Sequence, residues 1–261
     1  MSLLETRGLT KRFGGLTALD DLTLTVQPGE VRGLIGPNGA GKSTFINLVT
    51  GVVRPSAGSV RFRDEDVTSW PTHALFRRGL ARTFQTPRLA PGLTVLESVL
   101  VAHVHLGPLE LFRSLAGGRA RRHAERTWRH AVRQDLEAIG LGACAEDPVE
   151  TLPHGQRRLL EIARALARGP SLVLLDEPAA GMSDVETSRV TTLIRSLAAR
   201  GLAVLMVEHN MGLVMSVADR VSVLDFGRVI AEGRPADVQG DPAVHEAYLG
   251  RVDGGEATPH A

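Results

Sequence analysis

The sequence of 261 residues contains a single cysteine, Cys144, and only two lysines, Lys11 and Lys42. One cysteine excludes an internal disulfide and fits a reducing compartment. Thirty basic residues against 29 acidic ones leave a formal charge of +1, which gives no overall argument for nucleic-acid binding. No apolar run approaches the ~18–20 residues that span a bilayer, and the N-terminus lacks a secretory signal pattern. These shortages predict a globular chain that stays in the cytoplasm unless a partner holds it elsewhere.

A glycine-rich stretch supplies the strongest motif. Residues 36–44 read Gly-Pro-Asn-Gly-Ala-Gly-Lys-Ser-Thr and directly follow the apolar run Val31–Ile35. A strand, a glycine-rich loop and a helix in this order are typical of phosphate binding, because backbone N–H groups and the helix start surround an anion. In that arrangement Lys42 reaches the β- and γ-phosphates, and the Ser43 hydroxyl binds Mg²⁺. The predicted phosphate-binding residues are Gly36, Pro37, Asn38, Gly39, Ala40, Gly41, Lys42, Ser43 and Thr44.

Two acidic residues end a later apolar strand. The stretch Ser171–Glu177 is continuously apolar up to its two carboxylates, as expected for a parallel strand buried on both faces. We expect Asp176 to hold Mg²⁺ opposite Ser43. Glu177 would face the other way on an extended strand and act as general base on the water that attacks the γ-phosphate. An ordinary charge pair near a loop is the alternative.

Three further candidates carry weaker signals. His209 ends the next apolar strand along the chain, where a γ-phosphate contact is favoured over a structural role. Because a short strand is expected at Leu3–Thr6, Phe13 falls in a polar loop, Lys11–Gly15, with no strand or helix to pack into. Phe13 is either an anchor on the sheet or a platform for a stacked base. Gln85 ends a predicted strand and is an ordinary loop residue unless a nucleotide lies nearby.

Residues 94–165 form a predicted helical insertion between two halves of an α/β sheet. Thr94 and Glu97 have the spacing of a capping box. Arg119–Ile139 has a basic first half, for which a solvated helix face is favoured over a nucleic-acid patch because Trp128 is its only aromatic residue. We therefore expect an α/β nucleotide-binding core from residues 1–93 and 166–250, a helical signature subdomain at 94–165, and a flexible tail at 251–261.

The ordered motifs resemble the nucleotide-binding subunit of an ABC transporter over nearly the whole chain. Phe13 falls where that family places its adenine-stacking aromatic residue, residues 36–44 match Walker A, and Gln85 matches the Q-loop. Leu152–Gln156 match the signature. Leu172–Asp176 with Glu177 match Walker B and its catalytic glutamate, and His209 matches the switch histidine.

This resemblance implies an α/β fold, with a P-loop NTPase (RecA-like) core, an N-terminal antiparallel β subdomain and an inserted α-helical subdomain. Residues 1–250 would then be a single ABC ATPase domain that uses ATP and Mg²⁺. The implied catalytic residues are Glu177, His209, Gln85 and Lys42, and the implied metal-binding residues are Ser43, Gln85 and Asp176. Phe13, Gln85 and Asp176 would join the phosphate loop in holding the nucleotide.

The resemblance also implies that half of each ATP site comes from a second ATP-binding subunit, in a homodimer or a heterodimer. The residues that this chain would offer in trans are Leu152, Pro153, His154, Gly155 and Gln156. Two transmembrane permease subunits would hold the pair at the cytoplasmic face of the inner membrane, and a periplasmic substrate-binding protein would act indirectly. No nucleic-acid partner is expected.

Three stretches resemble branched-chain amino acid importers within the family, namely Ala81–Gln85, Leu93–Ala102 and Asp176–Gly181. Leucine, isoleucine and valine are therefore the expected cargo. The alternatives are urea or amide import, lipopolysaccharide export, and a non-transport ABC ATPase that acts on ribosomes or DNA. A generic phosphate-loop kinase would leave the signature, Gln85 and His209 unexplained.

Two positions depart from the family pattern. The usual Leu-Ser-Gly-Gly-Gln signature reads Leu-Pro-His-Gly-Gln here, and Pro153 offers neither a hydroxyl nor an N–H group. The aspartate expected in the D-loop falls at Ser183, with Asp184 next to it. The hypothesis is that the composite site that uses this signature is the weaker of two, so that one site of a heterodimer does most of the hydrolysis.

Overall fold

An antiparallel sheet forms the N-terminal part of the structure, a computed structural model that describes residues 2–84, 89–103 and 119–249. Its order is β2-β1-β4-β5. The strands are β1 (Leu4–Phe13), β2 (Leu16–Val26), β4 (Ala57–Phe62) and β5 (Glu65–Asp66). The expected N-terminal antiparallel β subdomain is therefore present.

The first hairpin is longer than the sequence suggested. β1 continues to Phe13, which pairs with Leu16, so the expectation that Phe13 lies in a polar loop is wrong. Leu9 and Leu19 are buried within this extension, while Phe13 and Leu16 are exposed. The register shifts repeatedly after Thr6, and these irregularities break the strict alternation by which a strand is recognised in sequence.

The second sheet has six strands in the order β10-β9-β3-β8-β7-β6. The strands are β3 (Val31–Ile35), β6 (Leu80–Arg82), β7 (Leu172–Asp176), β8 (Ala203–Val207), β9 (Arg220–Asp225) and β10 (Arg228–Gly233). All neighbouring pairs are parallel except β9 and β10. The carboxyl ends of β3, β8 and β7 consequently meet at one edge of the sheet, where ligands bind in open α/β folds.

Helices cover this sheet, and further helices follow β6 within the described residues. They are α1 (Lys42–Val49), α2 (Thr72–Arg78), α3 (Val95–His103), α4 (Arg119–Ala138), α5 (His154–Leu166), α6 (Asp184–Ala199), α7 (Met211–Val217), α8 (Pro235–Gln239) and α9 (Pro242–Leu249). The predicted capping box before α3 is confirmed, because Thr94 N–H donates to Glu97 Oε2 at 2.9 Å and Glu97 N–H to Thr94 Oγ1 at 3.1 Å. No helix in the described ranges is long and apolar enough to cross a membrane.

Apolar side chains cover both faces of the six-stranded sheet. Leu174 and Leu205 pack in a cluster with the antiparallel sheet and α1, whereas Val173 and Val204 pack in a second cluster on the opposite face. Burial on both faces explains why these strands read as continuous apolar runs rather than alternating ones. Each fully buried Leu or Val side chain stabilises the fold by roughly 1.5–3 kcal/mol.

The helical insertion shares its core with the sheet. Val95 and Val99 of α3 and Leu136 of α4 belong to the same cluster as Val173 of β7. The insertion therefore packs on the sheet through a continuous apolar core, and the boundaries at residues 94 and 165 stay predictions. The predicted flexible tail, residues 251–261, lies outside the described residues.

Candidate functional site

The glycine-rich loop connects β3 to α1 and runs directly against neighbouring backbone. Gly36, Gly39 and Gly41 have φ angles of 151°, 81° and 107°, a region that side-chain-bearing residues rarely adopt. A Cβ on Gly36 would lie 2.0 Å from Leu224 O, and one on Gly41 would lie 2.6 Å from Ala18 O. Only glycine fits at these two positions, because any side chain would clash with a neighbouring backbone carbonyl oxygen.

The loop and the start of α1 form a cradle for an anion. Lys42 Nζ donates to Gly36 O at 2.7 Å and to Pro37 O at 2.9 Å, so its ammonium group folds back over the loop. Gly41 occupies the N-cap of α1 without a side-chain cap, and the N-terminus of a helix presents N–H groups and a partial positive charge that suit an anion. Ser43 is exposed in this first turn. Phosphate groups are the ligands that such a cradle suits.

Other residues of the predicted loop surround this cradle in different ways. Ala40 is buried, and its carbonyl accepts from Gly227 N–H at 2.9 Å, which fixes the loop to the β9–β10 turn. Asn38 is exposed and Thr44 is half-buried. Phe13 lies in the other sheet at the end of β1, with Lys11 Nζ 5.0 Å from the centroid of its ring.

Asp176 lies at the carboxyl end of β7 and is buried. Its Oδ2 accepts from Arg82 Nη2 at 3.1 Å, and its N–H donates to Thr83 Oγ1 at 3.2 Å. Burial raises the pKa of the Asp176 carboxyl, and the hydrogen bond from Arg82 opposes that increase. Arg82 also donates to Asn47 Oδ1 at 2.7 Å, so its guanidinium joins β6, β7 and α1.

Glu177 and His209 lie next to each other beyond the ends of β7 and β8. Glu177 Oε1 is 3.9 Å from His209 Nδ1. Glu177 has a φ of 49°, which lies in the left-handed region. The expectation that Glu177 continues the extended strand is therefore wrong, and a turn rather than strand alternation sets the direction of its side chain. Its N–H donates to Val207 O at 2.8 Å. The imidazole is exposed and the carboxylate half-buried, so both are accessible to a ligand at this edge.

The signature residues surround the first turn of α5. Pro153 is the N-cap of that helix, Leu152 and Gly155 are buried, and His154 is exposed. A Cβ on Gly155 would lie 2.0 Å from Glu186 Oε1, so the start of α6 packs closely against the start of α5. Gln156 is half-buried in the same turn.

Ser183, where the family places an aspartate, has a clear local role. It is the N-cap of α6, and its N–H donates to Glu186 Oε2 at 2.9 Å in a capping box. The hydrogen bond from the Ser183 backbone lowers the pKa of Glu186. The departure at this position is therefore compatible with a well-formed helix start.

Sequence reasoning missed four charged residues that organise the site: Arg82, Arg158, Glu161 and Glu208. Glu161 Oε1 accepts from Phe84 N–H at 2.7 Å, and Arg158 Nη1 donates to Phe84 O at 3.1 Å. Two side chains of α5 thus bind both the N–H and the carbonyl group of the residue just before Gln85. Gln85 itself lies outside the described residues, so its role stays a prediction. One sequence signal could have indicated these residues: each is a charged residue within or next to an apolar segment. A charged side chain that is buried in such a segment needs an ion-pair or hydrogen-bond partner.

A phosphate cradle, an acidic pair and a histidine at one edge of a parallel sheet define a nucleotide-binding protein of the P-loop class. Comparison with known sequences agrees. The model of the family described as "ABC transporter" matches residues 19–180, and the model described as "Branched-chain amino acid ATP-binding cassette transporter" matches residues 228–254. The chain therefore belongs to the ABC transporter family, as its motifs predicted, and is an ATPase cassette that binds nucleotide.

Relatives and solved structures match over nearly their whole length. The high-affinity branched-chain amino acid transport ATP-binding protein BraF of Pseudomonas aeruginosa is 41% identical, over 96% of this chain and 98% of the relative. The ADP conformation of MJ1267, an ATP-binding cassette of an ABC transporter, is 33% identical with a TM-score of 0.82, over 96% of this chain and 99% of that one. A dimeric bacterial cassette, MJ0796, is 26% identical with a TM-score of 0.75, over 89% and 98%. These similarities confirm the predicted fold class.

Proposed function

We propose that this chain is the ATP-hydrolysing subunit that powers an importer of branched-chain amino acids. The observation that carries the chemistry is the placement of Asp176, Glu177 and His209 at the sheet edge where the phosphate loop begins. The cargo rests on the similarity to BraF and on the family model that matches residues 228–254. The chain would work at the cytoplasmic face of the membrane, with two permease subunits and, indirectly, a periplasmic binding protein.

The residues present fit a Mg²⁺ ion that is bound together with ATP. Ser43 and Asp176 supply a hydroxyl and a carboxylate, which are hard oxygen donors. Among the described residues there is no group of three His, Cys, Asp or Glu side chains that could hold a metal by themselves. A site with few protein ligands is typical of Mg²⁺, which takes its remaining ligands from phosphates and water. When bound, the ion neutralises charge on the β- and γ-phosphates.

The remaining residues have distinct tasks in hydrolysis. The N–H groups of the loop and of the first turn of α1 bind phosphate oxygens, and Lys42 exchanges its two carbonyl partners for the β- and γ-phosphates. Glu177 takes the proton from a water whose oxygen attacks the γ-phosphorus, while the bond from that phosphorus to the bridging oxygen of ADP breaks. His209, 3.9 Å from the Glu177 carboxylate, contacts the γ-phosphate.

A second ATP-binding subunit would complete each site. The signature residues surround the start of α5, so the N-terminus of this helix would face the γ-phosphate bound by a partner. The similarity to the dimeric cassette MJ0796 supports such a pairing. In this arrangement ATP binding closes the dimer and hydrolysis opens it. The helical insertion and Gln85 would carry that motion to the permease subunits.

The substitution Glu177→Gln tests the chemistry in the assembled transporter. We expect steady-state ATP hydrolysis to be abolished, because an amide cannot accept the proton, while ATP binding and ATP-driven dimerisation persist. Glu246→Gln, at an exposed position of α9, is the matched control and should retain hydrolysis. Retained turnover in the Glu177 variant would remove that residue from the role of base. The cargo is tested separately with the wild-type transporter in proteoliposomes. Uptake of labelled leucine is compared with uptake of labelled urea, and the proposal expects uptake of leucine.

A further inference from the structure

Glu208 is a buried carboxylate between the two loops that carry Glu177 and His209. It directly follows β8, and only 1% of its surface is exposed. Oε1 accepts from Ala179 N–H at 2.9 Å. Oε2 accepts from His209 N–H at 3.0 Å and from Asn210 N–H at 3.1 Å. One side chain therefore accepts three backbone hydrogen bonds from two different turns.

These bonds connect the β7 turn to the β8 turn. Ala179 lies two residues after Glu177, and the other two N–H groups belong to His209 and its neighbour. The Oε2 atom is also 3.9 Å from His209 Nδ1, the same separation as between that nitrogen and Glu177 Oε1. The imidazole is thus close to both carboxylates. Asn210 continues the connection into α7, because its Oδ1 accepts from Leu213 N–H at 3.0 Å.

The hydrogen-bond pattern requires a carboxylate. The three groups around Glu208 are all donors, and a carboxylate presents acceptors on both oxygens. An amide of the same shape would turn its NH₂ group toward at least one N–H, either that of Ala179 or those of His209 and Asn210. A shorter carboxylate would not reach both turns. Neither substitution reproduces the connection.

We propose that Glu208 is a positioning residue, which holds Glu177 and His209 at the separation that hydrolysis of the γ-phosphate requires. The inference rests on the proposed function, because it assigns Glu208 a part in the reaction that those two residues perform. It acts through the backbone of the two turns and does not contact the nucleotide. A buried carboxylate that only stabilised the fold would have no selective effect on turnover.

The test compares Glu208→Gln with a matched buried carboxylate in the assembled transporter. Glu30, with 8% exposure, precedes β3 at the opposite end of the sheet and accepts from Gln27 N–H at 2.6 Å. We expect Glu208→Gln to lower kcat about 10-fold while KM for ATP stays within about twofold. Glu30→Gln should leave kcat unchanged. Urea unfolding of both variants separates loss of stability from loss of turnover.

A double-mutant cycle distinguishes positioning from general stabilisation. If Glu208 acts through His209, the kcat loss of Glu208→Gln should shrink in a His209→Ala background, because the positioned group is absent. Equal losses in both backgrounds, or a kcat no lower than that of Glu30→Gln, would overturn the inference. Inactive Glu177→Gln combined with a fully active Glu208→Gln refutes only the role of Glu208, whereas active Glu177→Gln refutes the assignment of Glu177 as the base in the proposed function.

Amide hydrogen exchange of the wild-type protein covers the case in which Glu208→Gln does not fold. The N–H groups of Ala179, His209 and Asn210 should exchange at least about 100-fold more slowly than exposed loop amides, because all three are bonded to one buried carboxylate. Slow exchange at all three, together with a reduced kcat in Glu208→Asp, supports the inference. Fast exchange at any of them, or a fully active Glu208→Asp, contradicts it.

Discussion

Replacing Arg82 by methionine should destabilise the protein far more than breaking an ion pair on its surface. Arg82 and Asp176 form a buried ion pair, with side chains 13% and 9% exposed. Methionine preserves much of the apolar stem but leaves the Asp176 carboxylate without its partner. Removal of one member of a buried pair typically costs about 3–5 kcal/mol. We expect about 3 kcal/mol here, or a Tm lower by roughly 6–12 °C in a chain of this length.

The pH dependence of this loss follows from the burial of Asp176. Burial already raises the pKa of that carboxyl, with Arg82 opposing the increase, so removal of Arg82 should raise the pKa further. When the pKa of a carboxyl is higher in the folded state than in the unfolded state, the protein becomes less stable as the pH rises through the folded-state pKa. The penalty of Arg82→Met should therefore be smaller at pH 5 than at pH 7, with a slope of at most about 1.4 kcal/mol per pH unit.

The assay is urea unfolding of the nucleotide-free chain at both pH values, because bound nucleotide would itself stabilise the folded state. Arg228→Met is the control, since Arg228 pairs with Asp20 at the surface, with side chains 70% and 32% exposed. A surface pair contributes about 0–1 kcal/mol. The reasoning fails if Arg82→Met costs no more than Arg228→Met, or if its cost does not decrease at pH 5.

Two further substitutions test α5. Burial raises the pKa of Glu161, so the stability of the wild-type protein should fall as the pH rises through that pKa. The variant Glu161→Gln keeps an acceptor for Phe84 N–H and should not show this decline. Urea midpoints that change with pH in the same way for the two proteins, between pH 4.5 (the ordinary pKa of glutamate) and about pH 7, would contradict this. Pro153→Ser would add a hydroxyl at the N-cap of α5 and should raise ATP turnover at the composite site that uses this signature. Equal turnover at the two sites before the change, and no effect of it, would show that the asymmetry hypothesis is wrong.

Parts of the site that are continuous in sequence could be predicted without coordinates. The phosphate loop is one stretch, in which the glycine spacing, the preceding strand and the following helix all indicate the same geometry. Asp176 was placed correctly at a strand end, because a run of apolar residues that ends in a carboxylate specifies both the strand and its edge. The extent of β1 was underestimated, since its register shifts interrupt the alternation on which the prediction relied.

The sequence by itself determined the class of the protein, the order of its motifs and the position of the glycine-rich loop between a strand and a helix. This was possible because each motif is a short continuous stretch. Within it, a single residue type can meet a backbone requirement, as glycine does at positions 36 and 41, where a Cβ would clash. The tertiary structure alone decided which charged side chains support those motifs. Arg82 meets Asp176 across 94 residues and Glu208 meets Ala179 across 29, contacts that exist because β6, β7 and β8 are neighbours in the sheet. Burial then makes each of these contacts necessary, since a charge removed from water needs a partner.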